Sequence, residues 1–129
     1  MALGFTGTRR GMTQAQIEMV AKLLRARSTI SDIEDELHHG NARGADVEAA
    51  EMAHVLGYLV VSYLPDGHRS DSYLRRNREI VDATDELIAA PAGMEEALRS
   101  GTWATVRYAR KRRKLVTIVW PDGSVSHDP

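Results

Sequence analysis

Three short stretches of the chain place glycine beside groups that bind anions: Gly7-Thr8-Arg9-Arg10-Gly11, Gly40-Asn41-Ala42-Arg43-Gly44 and Arg99-Ser100-Gly101-Thr102. Glycine lets the backbone approach a phosphate closely. Where such a stretch opens a helix, the first amide hydrogens lack internal partners and lie at the positive end of the helix dipole. Thr8, Ser100 and Thr102 add hydroxyl donors. Arg9, Arg10, Arg43 and the run Arg75-Arg76-Asn77-Arg78 add planar guanidinium forks that suit phosphate oxygens. Together these residues predict a site for a phosphorylated small molecule. Neither a full GxGxxG nor a GxxxxGK[ST] occurs, which argues against an ordinary dinucleotide fingerprint and against a P-loop.

Other chemistry is less well supplied. His38 and His39 are adjacent, so on a strand they point to opposite faces, and neither they nor His68 belong to a ligand set completed by a carboxylate. No metal site and no cofactor are expected. With no cysteine there is no disulfide framework and no thiolate nucleophile, a composition that suits a reducing cytoplasm. Tyr73, Trp103 and Tyr108 are able to stack on a base, although aromatic residues at a helix or loop edge more often serve a core or an interface.

Charge is balanced overall, 17 Lys and Arg against 18 Asp and Glu, so the chain is not a polycation drawn to duplex DNA. It is unevenly spread: Asp32, Glu34, Asp35 and Glu36 form an acidic cluster, while Arg99, Arg107, Arg110, Lys111, Arg112, Arg113 and Lys114 fall within one window. The basic run reads first as a solvated helix end, where cations complement the dipole, and second as a surface for nucleic acid or an acidic partner.

These residues need elements to position them. A length of 129 residues, 43% hydrophobic and 27% charged, fits one compact domain over 1–129 able to bury a core without disulfide or metal. No run reaches 18 apolar residues and the N-terminus has no signal-like pattern, so no membrane association is expected. Leu3 to Thr6 reads as a strand. Thr13 can cap a helix carrying Ile17, Val20, Ala21 and Leu24 on one face. A weaker strand near Glu34 to His38 precedes a helix with Ala49, Met52, Ala53 and Leu56, stopped by Gly57. Leu59 to Leu64 is a β-branched and aromatic strand ended by Pro65-Asp66-Gly67. Helical character from Tyr73 to Ala83, the apolar strand Leu87 to Ala90, a helix from Thr102 to about Arg112 and a strand from Leu115 to Trp120 complete the pattern. Alternation of this kind predicts an α/β fold: a Rossmann-like, open, mostly parallel five-stranded sheet with helices on both faces. Pro121-Asp122-Gly123 can return a short C-terminal hairpin strand, and residues 124–129 otherwise read as a flexible tail. In such a sheet the ligand crevice lies beyond the carboxyl ends of the strands, where all three glycine stretches should arrive.

Taken in order, the segments resemble the SLOG superfamily, the Rossmann-like group that includes DprA/Smf, YspA-like proteins and the LOG phosphoribohydrolases. Gly4-Phe5-Thr6-Gly7-Thr8-Arg9 resembles its opening loop, and His39-Gly40-Asn41-Ala42-Arg43-Gly44-Ala45-Asp46 the HGGARGAD-like loop of YspA-like and DprA proteins. Arg76-Asn77-Arg78-Glu79-Ile80-Val81 with Asp85 to Ala89, and Ser100-Gly101-Thr102-Trp103-Ala104-Thr105, are similar to later motifs. The resemblance implies a nucleotide or nucleotide-derived small molecule, sensed or sequestered, and a homo-oligomer. Its candidate binding set is Gly7, Thr8, Arg9, Gly40, Asn41, Arg43, Gly44, Asp46, Asn77, Arg78, Ser100, Gly101 and Thr102.

Two alternatives accompany it. Like a LOG enzyme, the chain would cleave a nucleoside monophosphate, but the position of the LOG glutamate holds Thr105, which moves protons poorly. Asp46, Glu79, Glu95 or Glu96 would have to replace it, and no catalytic residue is assigned. Like DprA, it would bind single-stranded DNA. Net charge, and the absence of room for the additional domains that DprA proteins usually carry, argue against that alternative.

Overall fold

A computed structural model describes residues 1–28 and 34–128; Asp32 of the acidic cluster and Pro129 of the tail lie outside the described residues. The elements are β1 (Ala2–Gly7), α1 (Gln14–Arg27), β2 (Glu36–His39), α2 (Ala45–Val55), β3 (Leu59–Ser62), α3 (Ser70–Asp82), β4 (Glu86–Ala90), α4 (Gly101–Lys111), β5 (Leu115–Val119) and β6 (Val125–Asp128). They form a sheet in the order β3-β2-β1-β4-β5-β6, parallel except for β6. This is the open α/β architecture predicted from the alternation. The hairpin strand is present as well: β6 pairs antiparallel with β5 from Val116–Asp128 to Val119–Val125, so these residues belong to the sheet and are not a loose tail.

Chain order reverses direction between β1 and β4. The first two crossovers run outward through α1 and α2; α3 carries the chain back across the sheet to β4. The apolar residues segregate accordingly. Val20 and Leu24 of α1 and Ala45, Ala49 and Ala53 of α2 pack with Leu3, Phe5 and Leu37. Trp103, Val106 and Ala109 of α4 and Val81 of α3 pack with Leu87, Val116 and Ile118 on the other side.

Local chemistry accounts for the main boundaries. Thr13 and Gln16 make a reciprocal capping box at the start of α1. Gln16 then reaches inward, fully buried, and its Nε2 donates to the carbonyls of Pro91 (2.8 Å) and Val119 (3.0 Å), tying α1 to the ends of β4 and β5. One boundary is corrected: β3 ends before the expected Leu64. It stops at Ser62, and its residues are only half covered because it is the sheet's edge, with β2 as its one neighbour.

Candidate functional site

At the carboxyl ends of β1 and β4 lies a cleft of about 700 Å³. Gly7, Thr8, Arg9, Asp46, Asn77, Ser100, Gly101 and Thr102 of the candidate set line it, together with Tyr73, Arg76 and Arg99. Gly40, Asn41 and Arg43 line an adjoining hollow of about 500 Å³ that shares Arg9, Tyr73 and Arg76 with the first. Arg78 lines a third, of about 430 Å³, on the seam between α3 and α4. Gly44 lines none of the three. Arg10 and Arg75, expected at the same rim, line none either.

The backbone amides differ most from expectation. In the first loop the amide of Thr8 donates to Ala90 O, that of Arg10 to Thr8 Oγ1, that of Gly11 to Thr8 O and that of Met12 to Glu48 Oε1. In the second, Gly40 and Ala42 donate to Asp46 Oδ2 at 3.0 and 3.4 Å, and Asn41 donates to His39 Nδ1. Most amides of these two loops are therefore bonded within the protein, which departs from the open amide cradle predicted for them. The carboxylates of α2's first turn and the Thr8 side chain take the donors a phosphate would have used. The start of α4 is different. Ser100 Oγ accepts from Trp103 N, leaving Gly101 and Thr102 at the two helix positions whose amides have no intrahelical acceptor.

Positive charge at this rim comes mainly from side chains. Arg9 and Arg76 both lie over the Tyr73 ring, their guanidinium carbons 5.4 and 5.6 Å from its centroid. Arg76 is buried; it donates to Gly40 O, Tyr63 O and Asn77 Oδ1 and so fastens the loop after β2 to α3. A Cβ on Gly40 would lie 2.6 Å from the Arg76 guanidinium carbon and would have to displace that clamp. Arg76 belongs to the basic run Arg75-Arg76-Asn77-Arg78 but not to the candidate binding set. Its signal, a lone arginine on the buried face of a helix, is visible only once the face is known.

His39 sits behind this loop with its pKa lowered, first by burial and then by Arg76 and His38. Its Nδ1 accepts from Asn41, so the proton is on Nε2, facing Ser62 Oγ at 3.1 Å. His38 contacts Tyr63 Oη and Glu36 Oε1. Trp103 is buried against Trp120, ring centroids 5.6 Å apart, and serves the core. Thr105, at the LOG glutamate position, is buried and donates to Gly101 O. Of Asp46, Glu79, Glu95 and Glu96, only Asp46 lines the cleft.

Burial raises the Asp46 carboxyl to a pKa of about 6, against the lowering effect of the two amides and of Arg76 and Arg9. The native carboxyl thus holds its proton up to about pH 6, whereas an unfolded aspartate releases it near pH 4, at about 3.9. Between those values the native state binds more protons, so this group's stabilising contribution is complete below about pH 4 and is lost as pH rises through about 6. Asp46→Asn removes the titration. Its urea midpoint, relative to wild type, is expected to rise progressively from pH 4 to pH 6 and level off above. A relative midpoint that stays flat across that window would contradict the buried setting described for Asp46.

The basic run after Val106 is largely engaged. Arg107 and Arg110 bind Glu96, Arg110 also binds Asp128, and Arg112 lies 3.3 Å from Asp82. Lys114 donates to Thr84 O. This agrees with a charged helix end more than with an open polyanion surface. No helix among the described residues is long and apolar enough to cross a membrane.

No family model matches the chain, and no curated protein matches it. Among solved structures, one of DNA processing protein A from Helicobacter pylori, described for a unique single-stranded DNA binding mode, aligns over 92% of this chain with a TM-score of 0.64 and 21% identity. The match covers 64% of that chain, so the present chain spans less than two-thirds of its length. At this identity the likeness establishes the fold.

Proposed function

We propose that the chain binds single-stranded nucleic acid along the carboxyl edge of its sheet, as a SLOG-type domain of the DprA/Smf kind. The observation that carries the reading is the lining of the three adjoining hollows. Arg9, Arg43, Arg78, Arg99 and Lys111 contribute exposed cations to them, beside the buried Arg76 and the Glu96-bound Arg107, and Asp46 is the single lining carboxylate among the described residues. A row of adjoining hollows, with Tyr73 beside two guanidiniums, suits a charged strand with stacking bases better than a closed pocket does. The fold shared with DNA processing protein A supports the same choice. This reverses the preference drawn from net charge, which averages over the whole surface and does not register cations gathered at one rim.

A nucleotide-derived small molecule is the second reading, favoured by the size of the central cleft, which lies within the range of ordinary ligand pockets of roughly 300–1,000 Å³. Anisotropy titrations of mononucleotides and oligonucleotides separate the two. Strand binding predicts affinity that grows with length and falls steeply with salt, whereas a small-molecule site saturates at one nucleotide. No complex with any oligonucleotide at low ionic strength would remove the strand reading.

Gly101→Asp tests the location. A Cβ at Gly101 meets nothing within 4 Å, and aspartate in the first turn suits the helix dipole, so the fold is expected to persist. Its carboxylate would face the cleft, and affinity should fall by at least about thirtyfold, roughly 2 kcal/mol. Unchanged binding by this variant would place the site elsewhere.

A further inference from the structure

The third hollow extends the central cleft along the seam between α3 and α4, sharing Leu74, Asn77 and Ala104 with it. No carboxylate among the described residues lines it. On α4, Ala104, Tyr108 and Lys111 follow at i, i+4 and i+7 and so share a face. The Tyr108 hydroxyl donates to Asp82, 2.9 Å from both carboxylate oxygens, which fixes the ring at the far end of the seam. The Arg78 guanidinium carbon, arriving from α3, lies 5.4 Å from the ring centroid. Arg107 is held by Glu96 and by the carbonyls of Ala97 and Leu98, which leaves Arg78 and Lys111 as the exposed cations of the seam.

We infer that this seam is a second nucleotide subsite, in which a strand leaving the central cleft stacks a base on the Arg78–Tyr108 pair and places a phosphate against Lys111. The inference rests on the single-strand reading. A planar cation backed by a phenol ring offers any base a surface to stack on, whatever its sequence. The distance fits a short run of strand. Gly101 and Lys111 are separated by about 15 Å along the helix at 1.5 Å per residue, which corresponds to about four stacked nucleotides at 3.4 Å each.

The test uses labelled thymidine oligonucleotides of two and six residues with the full chain. Wild type is expected to bind the six-residue strand more tightly. Tyr108→Ala should weaken that complex about tenfold while changing the two-residue complex less than about twofold, and Tyr108→Phe, which keeps the ring, should stay within about twofold of wild type on both. Lys111→Gln should lower the salt slope of the longer strand by about 0.7. If Tyr108→Ala proves unfolded, Arg78→Gln, on an exposed side chain, carries the same length comparison. Equal losses on both strands, or none on the longer, would overturn the subsite and leave the central site standing. If wild type binds neither strand, the single-strand reading fails and the subsite with it.

Discussion

Arg76→Ala is expected to lower the stability of the chain by about 3 kcal/mol and to loosen the candidate site at the same time. The guanidinium is buried and holds three acceptors from three segments: Gly40 O after β2, Tyr63 O after β3 and Asn77 Oδ1 on α3. Truncation leaves two carbonyls without their donor, opens a void beneath Gly40 and removes a cation that steadies the Asp46 carboxylate. Lysine in its place keeps a charge but cannot reach three acceptors with one planar group, so Arg76→Lys should recover only part of the loss. Urea unfolding measures both variants. A loss below about 1 kcal/mol for Arg76→Ala would mean that the three segments are held together by something else.

The second large effect concerns Gly44. It sits at φ +78 and ψ −118, a conformation that side chains rarely adopt, and a Cβ there would lie 2.6 Å from both the carbonyl oxygen of Arg9 and the amide nitrogen of Gly11. Both obstacles are backbone, so neither can rotate away. Gly44→Ala is expected to cost at least about 3 kcal/mol, combining dihedral strain with separation of the two loops. Gly57→Ala is the matched control: φ is +90 but nothing lies within 4 Å, so its cost should be about 1 kcal/mol. Equal midpoints for the two variants would show that the close approach at Gly44 carries no energetic weight. The same geometry gives this glycine its role. It brings α2's first residue against the end of β1, where Ala45 N donates to Thr8 O, and it lines none of the three hollows.

Much of the molecule was readable one segment at a time. The Thr13 cap, the apolar face of α1, the Pro-Asp-Gly turns and the continuous apolar run before Pro91 are local signals. Each depends on neighbours within a few residues, and the order of such segments implies a parallel sheet with its loops at one edge. Eight of the motif residues accordingly line one cleft at that edge.

What those loops do at the rim is a different kind of question. Whether an amide is available depends on which carboxylate packs beside it, and the donors of Gly40, Ala42 and Met12 are claimed by Asp46 and Glu48 of α2. Arg76 and Arg78 are two positions apart on α3, yet one is buried as a clamp and the other is exposed on the α3–α4 seam. Trp103 and Tyr73 are both aromatic residues near a helix start, and only the packing of α4 against β5 sends one to the core. The sequence alone determined which segments exist, their types and the edge on which the glycine and arginine stretches meet, because turn and periodicity signals act over one or two turns of chain. Tertiary structure alone decided which donors stay open and which cations face the groove, because burial and hydrogen-bond partnership are properties of residues far apart in the chain.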